Sequence, residues 1–409
     1  MSTADLPPTS QATAVSRDRG DACPGSLRLH PADDGALARI RIPGGVLTLA
    51  QARALGDAAE RLGDGCLSLT SRGNVQLRGL TAGCGGDLVT LLAAAGLLPS
   101  PAHERVRNIV ASPLSGLDGR GLRDVRPWLT GLDAALCASE TALALSGRFL
   151  FALDDGRGDV AGLGADVTVR ATADGVARLA PGAVLVAAED VPRAALAAAE
   201  TFLALAAASG TRAWRMVDLP VPEGAWDMGV RRRLTDLGIG HVGSASDLSR
   251  TDGPPPGVRG DALSVHVPLG RLSARQWREL TAVAHRELRL TPWRGVVLPL
   301  PGEAIGSLSR LEAAGLVTDP SSPWPRVGAC VGTPGCARSH ADVRADATRA
   351  LRAADASPLP LYWSGCERRC GRPHGEHIDV IATPGHGYRL SAAPSHDSHL
   401  AAVRAAITS

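Results

Sequence analysis

The sequence predicts an α+β fold written twice, in which two sheet-and-helix halves, each followed by an α/β lobe, are related by a pseudo-twofold axis. Three observations carry this. Two segments share one order of capping box, helix, β-hairpin and glycine-terminated helix. A run starting at Arg105 and another at Arg326 each place a proline eight residues on, at Pro113 and Pro334. Further along, Ser146-Gly147 and Ser364-Gly365 each open a matched segment. Ala-rich α/β sequences look alike in any single pair, but four matched elements in one order indicate internal duplication.

The first copy starts at Thr48 and Gln51, a Thr-x-x-Gln capping box that opens an Ala/Leu helix to about Gly63. CLSLT, the turn SRGN and VQLRGL then read as a hairpin, and a second helix stops near Gly96. The second copy repeats this from Ser273 and Gln276, through LRLT, PWRG and VVLPL, to a helix stopping near Gly315. Aligned this way, Ile109 and Ser115 stand opposite Cys330 and Cys336, and Arg148 opposite Cys366. The expected layout is a disordered leader over 1–24, a first half over 25–100 and a first lobe over 101–241. A linker over 242–261, a second half over 262–320 and a second lobe over 321–409 complete it.

At 409 residues the chain is too long for one ordinary core. With 44% hydrophobic residues it is globular, and 43 basic against 41 acidic residues give no global pull towards nucleic acid or membrane. All the basic residues are arginine, so lysine Schiff-base chemistry is excluded and any carboxylate clamp must use guanidinium forks. No apolar run approaches the roughly 20 residues that span a bilayer, so the expected location is cytoplasmic. There, eight cysteines would not normally pair as disulfides.

Cys330, Cys336, Cys366 and Cys370 form C-x5-C and C-x3-C pairs about thirty residues apart, in loops rich in Gly and Pro. Such loops can wrap one metal centre and point N–H groups at sulfur. The spacings do not fit the usual zinc knuckles. Cys23, Cys66, Cys84 and Cys137 are scattered and read as packing or surface residues. Arg72, Asn74, Gln76 and Arg78 lie on the first hairpin, where alternation puts Asn74, Gln76 and Arg78 on one face.

ACVGTPGC followed by SGCERRCGRPHG resembles the cysteine signature of the siroheme-dependent sulfite/nitrite reductase superfamily. LTSRGNVQLRG is similar to that family's Thr-x-Arg-x-x-x-Gln hairpin, and RNIVASP to its Arg-Asn segment, so the resemblance runs from about residue 25 to 385. It implies two ferredoxin-like halves and a 4Fe–4S cluster on Cys330, Cys336, Cys366 and Cys370. It also implies a tetrapyrrole pocket served by Arg72, Asn74, Gln76, Arg78, Arg107 and Arg148. A surface charge is the ordinary explanation for a lone arginine; the matched motif favours the site for Arg72 and Arg78.

The sequence departs from the reductases where they carry a Lys-x-Lys-like pair: Arg148 takes the first place and Leu150 the second. That departure, and FALDDGRGD, look more like the precorrin-3B synthase branch. Its chemistry would be an oxygen-dependent monooxygenation of precorrin-3A, hydroxylation with γ-lactone formation, in aerobic cobalamin biosynthesis. Siroheme would be bound only under the alternative, a sulfite or nitrite reductase. The branch implies an oxygen-activating centre as well, a mononuclear non-haem iron whose ligands stay open. His340, His374 and His377 follow the cysteines, and Glu376 or Asp379 would supply a carboxylate; a polar loop explains each of them equally well. GLGADV lacks the full dinucleotide-binding glycine pattern, so an external electron donor, a ferredoxin or an NAD(P)H-dependent reductase, is expected alongside dioxygen.

Overall fold

The computed structural model describes residues 21 and 23–408, apart from 82, 223, 245–249, 301–304, 374, 386 and 394–396. The first half comprises β1 (His30–Ala32), β2 (Gly35–Ile40), β3 (Val46–Thr48), α1 (Leu49–Leu62), β4 (Cys66–Leu69), β5 (Val75–Leu80) and α2 (Gly85–Ala94). The first lobe follows with β6 (Ile109–Ala111), α3 (Arg126–Ala138), β7 (Phe151–Asp154), β8 (Val167–Ala171), β9 (Val176–Ala180), β10 (Val184–Ala187), α4 (Val191–Ser209), α5 (Ala225–Asp236) and β11 (His241–Gly243). The second half repeats the first as β12 (Gly257–Arg259), β13 (Ala262–His266), β14 (Arg271–Ser273), α6 (Ala274–Val283), β15 (Glu287–Leu290), β16 (Gly295–Pro299) and α7 (Ile305–Ala313). The second lobe contains β17 (Val327–Ala329), α8 (Val343–Arg349), β18 (Leu361–Ser364), β19 (Ile378–Thr383), β20 (Gly387–Ser391) and α9 (Asp397–Thr408).

Both capping boxes form: the Thr48 and Ser273 hydroxyls accept the N–H of Gln51 and Gln276, and each glutamine side chain answers the cap's own N–H. The strand before each cap crosses to the other half. β3 pairs with β15 (Thr48 opposite Glu287), and β14 pairs with β4 (Ser68 opposite Arg271). The sheets therefore run β1-β2-β5-β4-β14 and β12-β13-β16-β15-β3. Behind them the halves share one core, in which Leu55, Leu67 and Leu77 meet Leu280, Leu288 and Leu298, and the Trp277 indole donates to the Ala52 carbonyl at 2.7 Å. The two halves are thus one folding unit rather than two consecutive domains.

Each lobe has its own core around a sheet, ordered β11-β10-β9-β8-β7-β6 in the first and β17-β18-β19-β20 in the second. Among the described residues one helix, Ala188–Ser209, is long and apolar enough to cross a membrane by length and composition; its residues Ala194, Ala198 and Phe202 are buried in the first lobe's core. Two expected boundaries need correction. The 242–261 stretch is not wholly linker, because β11 and β12 extend its flanking sheets into it; residues 245–249 lie outside the described residues. The end of the 1–24 leader is anchored, since the Asp21 carboxylate accepts from the Ser146 hydroxyl and the Gly147 N–H, both at 2.9 Å.

Candidate functional site

The cysteine loops leave the C-terminal ends of the parallel strands β17 and β18. Cys330 follows β17, and its N–H donates to the Trp363 carbonyl at 2.9 Å. The Gly365 N–H in turn points at Cys330 Sγ, 3.2 Å away. Burial pushes the Cys330 thiol up, and the nearby Cys370 and Cys366 add to this against the N–H groups of Gly365 and Gly332. Cys366 and Cys370 share a tight loop: the Arg369 N–H donates to the Cys366 carbonyl at 3.2 Å, and the Tyr362 hydroxyl to the Cys370 carbonyl at 2.6 Å. Cys330, Cys336 and Cys366 are half-buried and Cys370 is exposed. Soft thiolates on two loops, with an N–H already aimed at sulfur, fit a 4Fe–4S cluster.

The first half grips this lobe. Arg78 holds Asp34 with two hydrogen bonds, at 2.8 and 2.7 Å, and donates to the Gly335 carbonyl in the Cys330–Cys336 loop at 3.0 Å. Asp33 accepts the Ala337 N–H at 2.7 Å. Alternation along β5 buries Val75 and Leu77 and turns Gln76 and Arg78 outward. Arg39 lies opposite Gln76 in the register and donates to its side chain at 3.5 Å. Arg41, two residues on, is only 4% exposed, and its Nη2 donates to Cys23 Sγ at 3.0 Å and to the Gly147 carbonyl at 3.1 Å. Among the described residues its Nε and Nη1 find no partner. A buried guanidinium left so short of acceptors is costly unless an anion joins it. Arg72, in the β4–β5 turn, donates to the Arg148 carbonyl at 2.9 Å, and burial, then Arg215 and Arg41, push it down to about 10. Arg148 stacks on Trp214, 4.4 Å from the ring centroid, and its Nε lies 3.9 Å from the Asp21 carboxylate.

Two expected pocket residues are turned elsewhere. Asn74 is 1% exposed; its Oδ1 accepts the Ile42 N–H at 2.9 Å and its Nδ2 donates to Asn108 at 3.0 Å, so it pins the hairpin turn. Arg107 is buried in a two-point pair with Asp133, both contacts 2.7 Å, and donates to the Leu97 carbonyl at 3.1 Å. Its donors are spent inside the protein. Arg39 and Arg41 escaped the sequence argument, although Arg-Ile-Arg-Ile before Pro-Gly-Gly placed two arginines on one strand face.

Among the described residues, the open set for a mononuclear iron does not assemble. His377 donates from Nδ1 to the Gly375 carbonyl at 2.8 Å, while its Nε2 accepts from Arg372 at 2.8 Å. Asp379 faces Arg369 at 3.0 Å and Arg372 at 3.3 Å, a cationic setting that opposes a metal ion. His340 and Glu376 are exposed, and His374 lies outside the described residues.

The first lobe repeats the geometry of the cysteine loops with different chemistry. The Ser112 N–H donates to the Leu153 carbonyl at 3.1 Å, as Cys330 does to Trp363. The Asp155 N–H donates to Ser112 Oγ at 3.1 Å, as Gly365 does to Cys330 Sγ. Strand register thus makes Ser112, not Ile109, the counterpart of Cys330. DDGRGD, not the segment at Ser146, is the counterpart of SGCERRC, so Arg148 does not stand opposite Cys366. Here Arg157 fills the centre, paired with Asp118 at 2.9 Å and Asp155 at 2.7 Å, with Asp159 at 4.0 Å.

Burial first, then Asp154 and Asp155, hold Asp159 up to about 7 against the Ser112 hydrogen bond. The native lobe therefore binds that proton more tightly than the unfolded chain, and its stability falls as pH rises from the ordinary carboxylate range to about 7. Asp159→Asn is expected to flatten this slope and to stabilise the protein above that range by about 1–3 kcal/mol. Urea unfolding at about pH 5 and pH 8 checks it; an unchanged slope would contradict it.

The family model for the nitrite/sulfite reductase ferredoxin-like half domain matches residues 30–95 and 257–311, one segment in each half. A precorrin-3B synthase from Sinorhizobium sp is 28% identical across 95% of this chain and 86% of its own length. A ferredoxin–nitrite reductase from Synechococcus elongatus is 27% identical across 84% of this chain and 76% of its own. The structure of the Mycobacterium tuberculosis NirA protein superimposes with a TM-score of 0.72 at 19% identity, covering 87% of this chain and 73% of that one, a likeness of fold. These relatives are oxidoreductases, and the chain has a nitrite/sulfite reductase-like fold in which the ferredoxin-like half domain is matched in two segments.

Proposed function

We propose that the chain is a precorrin-3B synthase, a monooxygenase converting precorrin-3A to precorrin-3B by hydroxylation and γ-lactone formation. The observation that carries this reading is the arginine face of Arg39, Arg41 and Arg72, leading through Gln76 and Arg78 to the cysteine lobe. A precorrin carries several carboxylates, and rigid guanidinium forks match them in charge and shape. The relative similar over 95% of the chain supports the same substrate class.

Cys330, Cys336, Cys366 and Cys370 would hold the 4Fe–4S cluster, which supplies one-electron transfer. In the net reaction one oxygen atom of dioxygen enters the product, and the other leaves as water with two electrons and two protons. An external donor, a ferredoxin or an NAD(P)H-dependent reductase, supplies the electrons, and exposed Cys370 marks the lobe's outer face. In this reading Arg41 and Arg72 bind substrate carboxylates and Arg78 fixes the pocket wall against the cluster loop. Leu150, 2% exposed and packed with Val110, Ala152 and Val160, offers no second cation for a small oxyanion. Precorrin-3A incubated with reductant and 18O-labelled dioxygen is expected to give product carrying one labelled oxygen atom. Reduction of nitrite without turnover of precorrin-3A would overturn the assignment.

The second reading, a siroheme-dependent sulfite or nitrite reductase, draws on the nitrite reductase relative that matches 84% of the chain. Under either reading, Arg72→Ala is expected to weaken tetrapyrrole binding by about tenfold or more, a loss of about 1.4 kcal/mol or more, while sparing the cluster. Titration with a polycarboxylate porphyrin alongside iron analysis checks this. Equal loss of both would make the hairpin a purely structural element.

A further inference from the structure

The hairpin turns of the two halves close alike, since the Thr70 N–H donates to the Asn74 carbonyl and the Thr291 N–H to the Gly295 carbonyl, both at 2.9 Å. The left-handed position is Gly73 in the first turn, with φ 64°, but Arg294 in the second, with φ 60°. A side chain there is strained, by about 1 kcal/mol or more, and such strain persists where surroundings or function demand it. The Arg294 guanidinium carbon lies 5.8 Å from the Tyr362 ring centroid, and Nη1 would sit 2.6 Å from any Cβ added at Gly328, two residues before Cys330. Tyr362 itself holds the Cys370 carbonyl at 2.6 Å.

A second arginine approaches the same cysteine. Arg344 donates from Nε to the Cys330 carbonyl at 3.2 Å. Burial, then Arg271 and Arg78, push its pKa down, with Arg294 adding and Cys330 opposing. Among the described residues neither Arg294 nor Arg344 has a carboxylate partner, whereas Arg78 nearby is paired with Asp34. Two cations without counter-ions therefore flank the backbone that carries Cys330.

We propose that Arg294 and Arg344 are positioning residues that set the reduction potential of the 4Fe–4S cluster, their charges compensating the electron it gains. The inference rests on the cluster assignment. Four thiolates and a 4Fe–4S core carry net negative charge, which rises by one unit on reduction, and fixed cations in a partly buried site stabilise the more negative state.

Arg294→Gly removes one charge and relieves the left-handed strain, so it separates potential from stability. Redox titration of the cluster-loaded full chain, read by visible absorbance and electron paramagnetic resonance, is the experiment. At a fixed poise, Arg294→Gly is expected to lower the ratio of reduced to oxidised cluster about tenfold, about 59 mV for a one-electron couple, with unfolding temperature unchanged or raised. Arg344→Met is expected to act in the same direction and Arg344→Lys to restore most of the shift. Iron and sulfide are assayed first. A wild-type chain without a cluster would sink the cluster assignment itself. Loaded Arg294→Gly with an unchanged potential would overturn the proposal and leave that assignment standing, whatever Arg344→Met does to cluster loading.

Discussion

Cys330→Ser is expected to lose the cluster's broad visible absorbance together with its bound iron and sulfide, whereas Ser112→Ala, at the matching place in the first lobe, should lose neither. Cys330 combines the features a cluster ligand needs: a strand-end position, the Gly365 N–H on its sulfur and a field shared with Cys366 and Cys370. A serine oxygen is a harder ligand and cannot replace the thiolate bridge to iron. Anaerobic reconstitution followed by absorbance, iron and sulfide analysis reads the result. A Cys330→Ser protein with the full signal would refute the ligand set.

Arg157→Met is expected to destabilise the first lobe by about 3–5 kcal/mol, because it strands Asp118, Asp155 and Asp159 in the interior without a cation. Asp155 has 0% and Asp159 1% side-chain exposure, so water cannot take over the role of the guanidinium. The loss should shrink as pH falls and Asp159, whose carboxyl is held up to about 7, gains its proton. Since the chain has several cores, a probe confined to the first lobe, such as hydrogen exchange of β7 and β8, is the suitable readout. Protection unchanged from wild type would show that Arg157 is dispensable.

The helices and hairpins were legible because their signals are local. Thr48 with Gln51 and Ser273 with Gln276 specify helix starts, and Gly96 and Gly315 adopt positive φ just past the second helices. Exchange of β3 and β14 between the sheets was not legible, since three-residue strands leave no periodicity and their partners lie over two hundred residues away. Matching the lobes by their Ser-Gly pairs also misled. Ser146-Gly147 is a turn held by Asp21 before β7 begins, while Ser364-Gly365 closes β18, so identity of letters hid a difference in register.

Among the site residues, strand alternation placed Gln76 and Arg78 on an outward face but failed for Asn74, which stands before β5 and turns inward to Ile42 and Asn108. Arg107 shows the same limit: the motif supplied a cation, and only packing reveals that Asp133 consumes it. Arg41 was hidden for the opposite reason. Its significance is that Nε and Nη1 lack acceptors among the described residues, a property no sequence pattern displays.

The measurement that bears most directly on the proposed function is extraction of the anaerobically purified protein, with iron, sulfide and siroheme quantified per chain. Cluster iron and sulfide without siroheme is the expected result, leaving the arginine face of Arg39, Arg41 and Arg72 open to a tetrapyrrole substrate. Siroheme present at one per chain would contradict it and make the protein a sulfite or nitrite reductase.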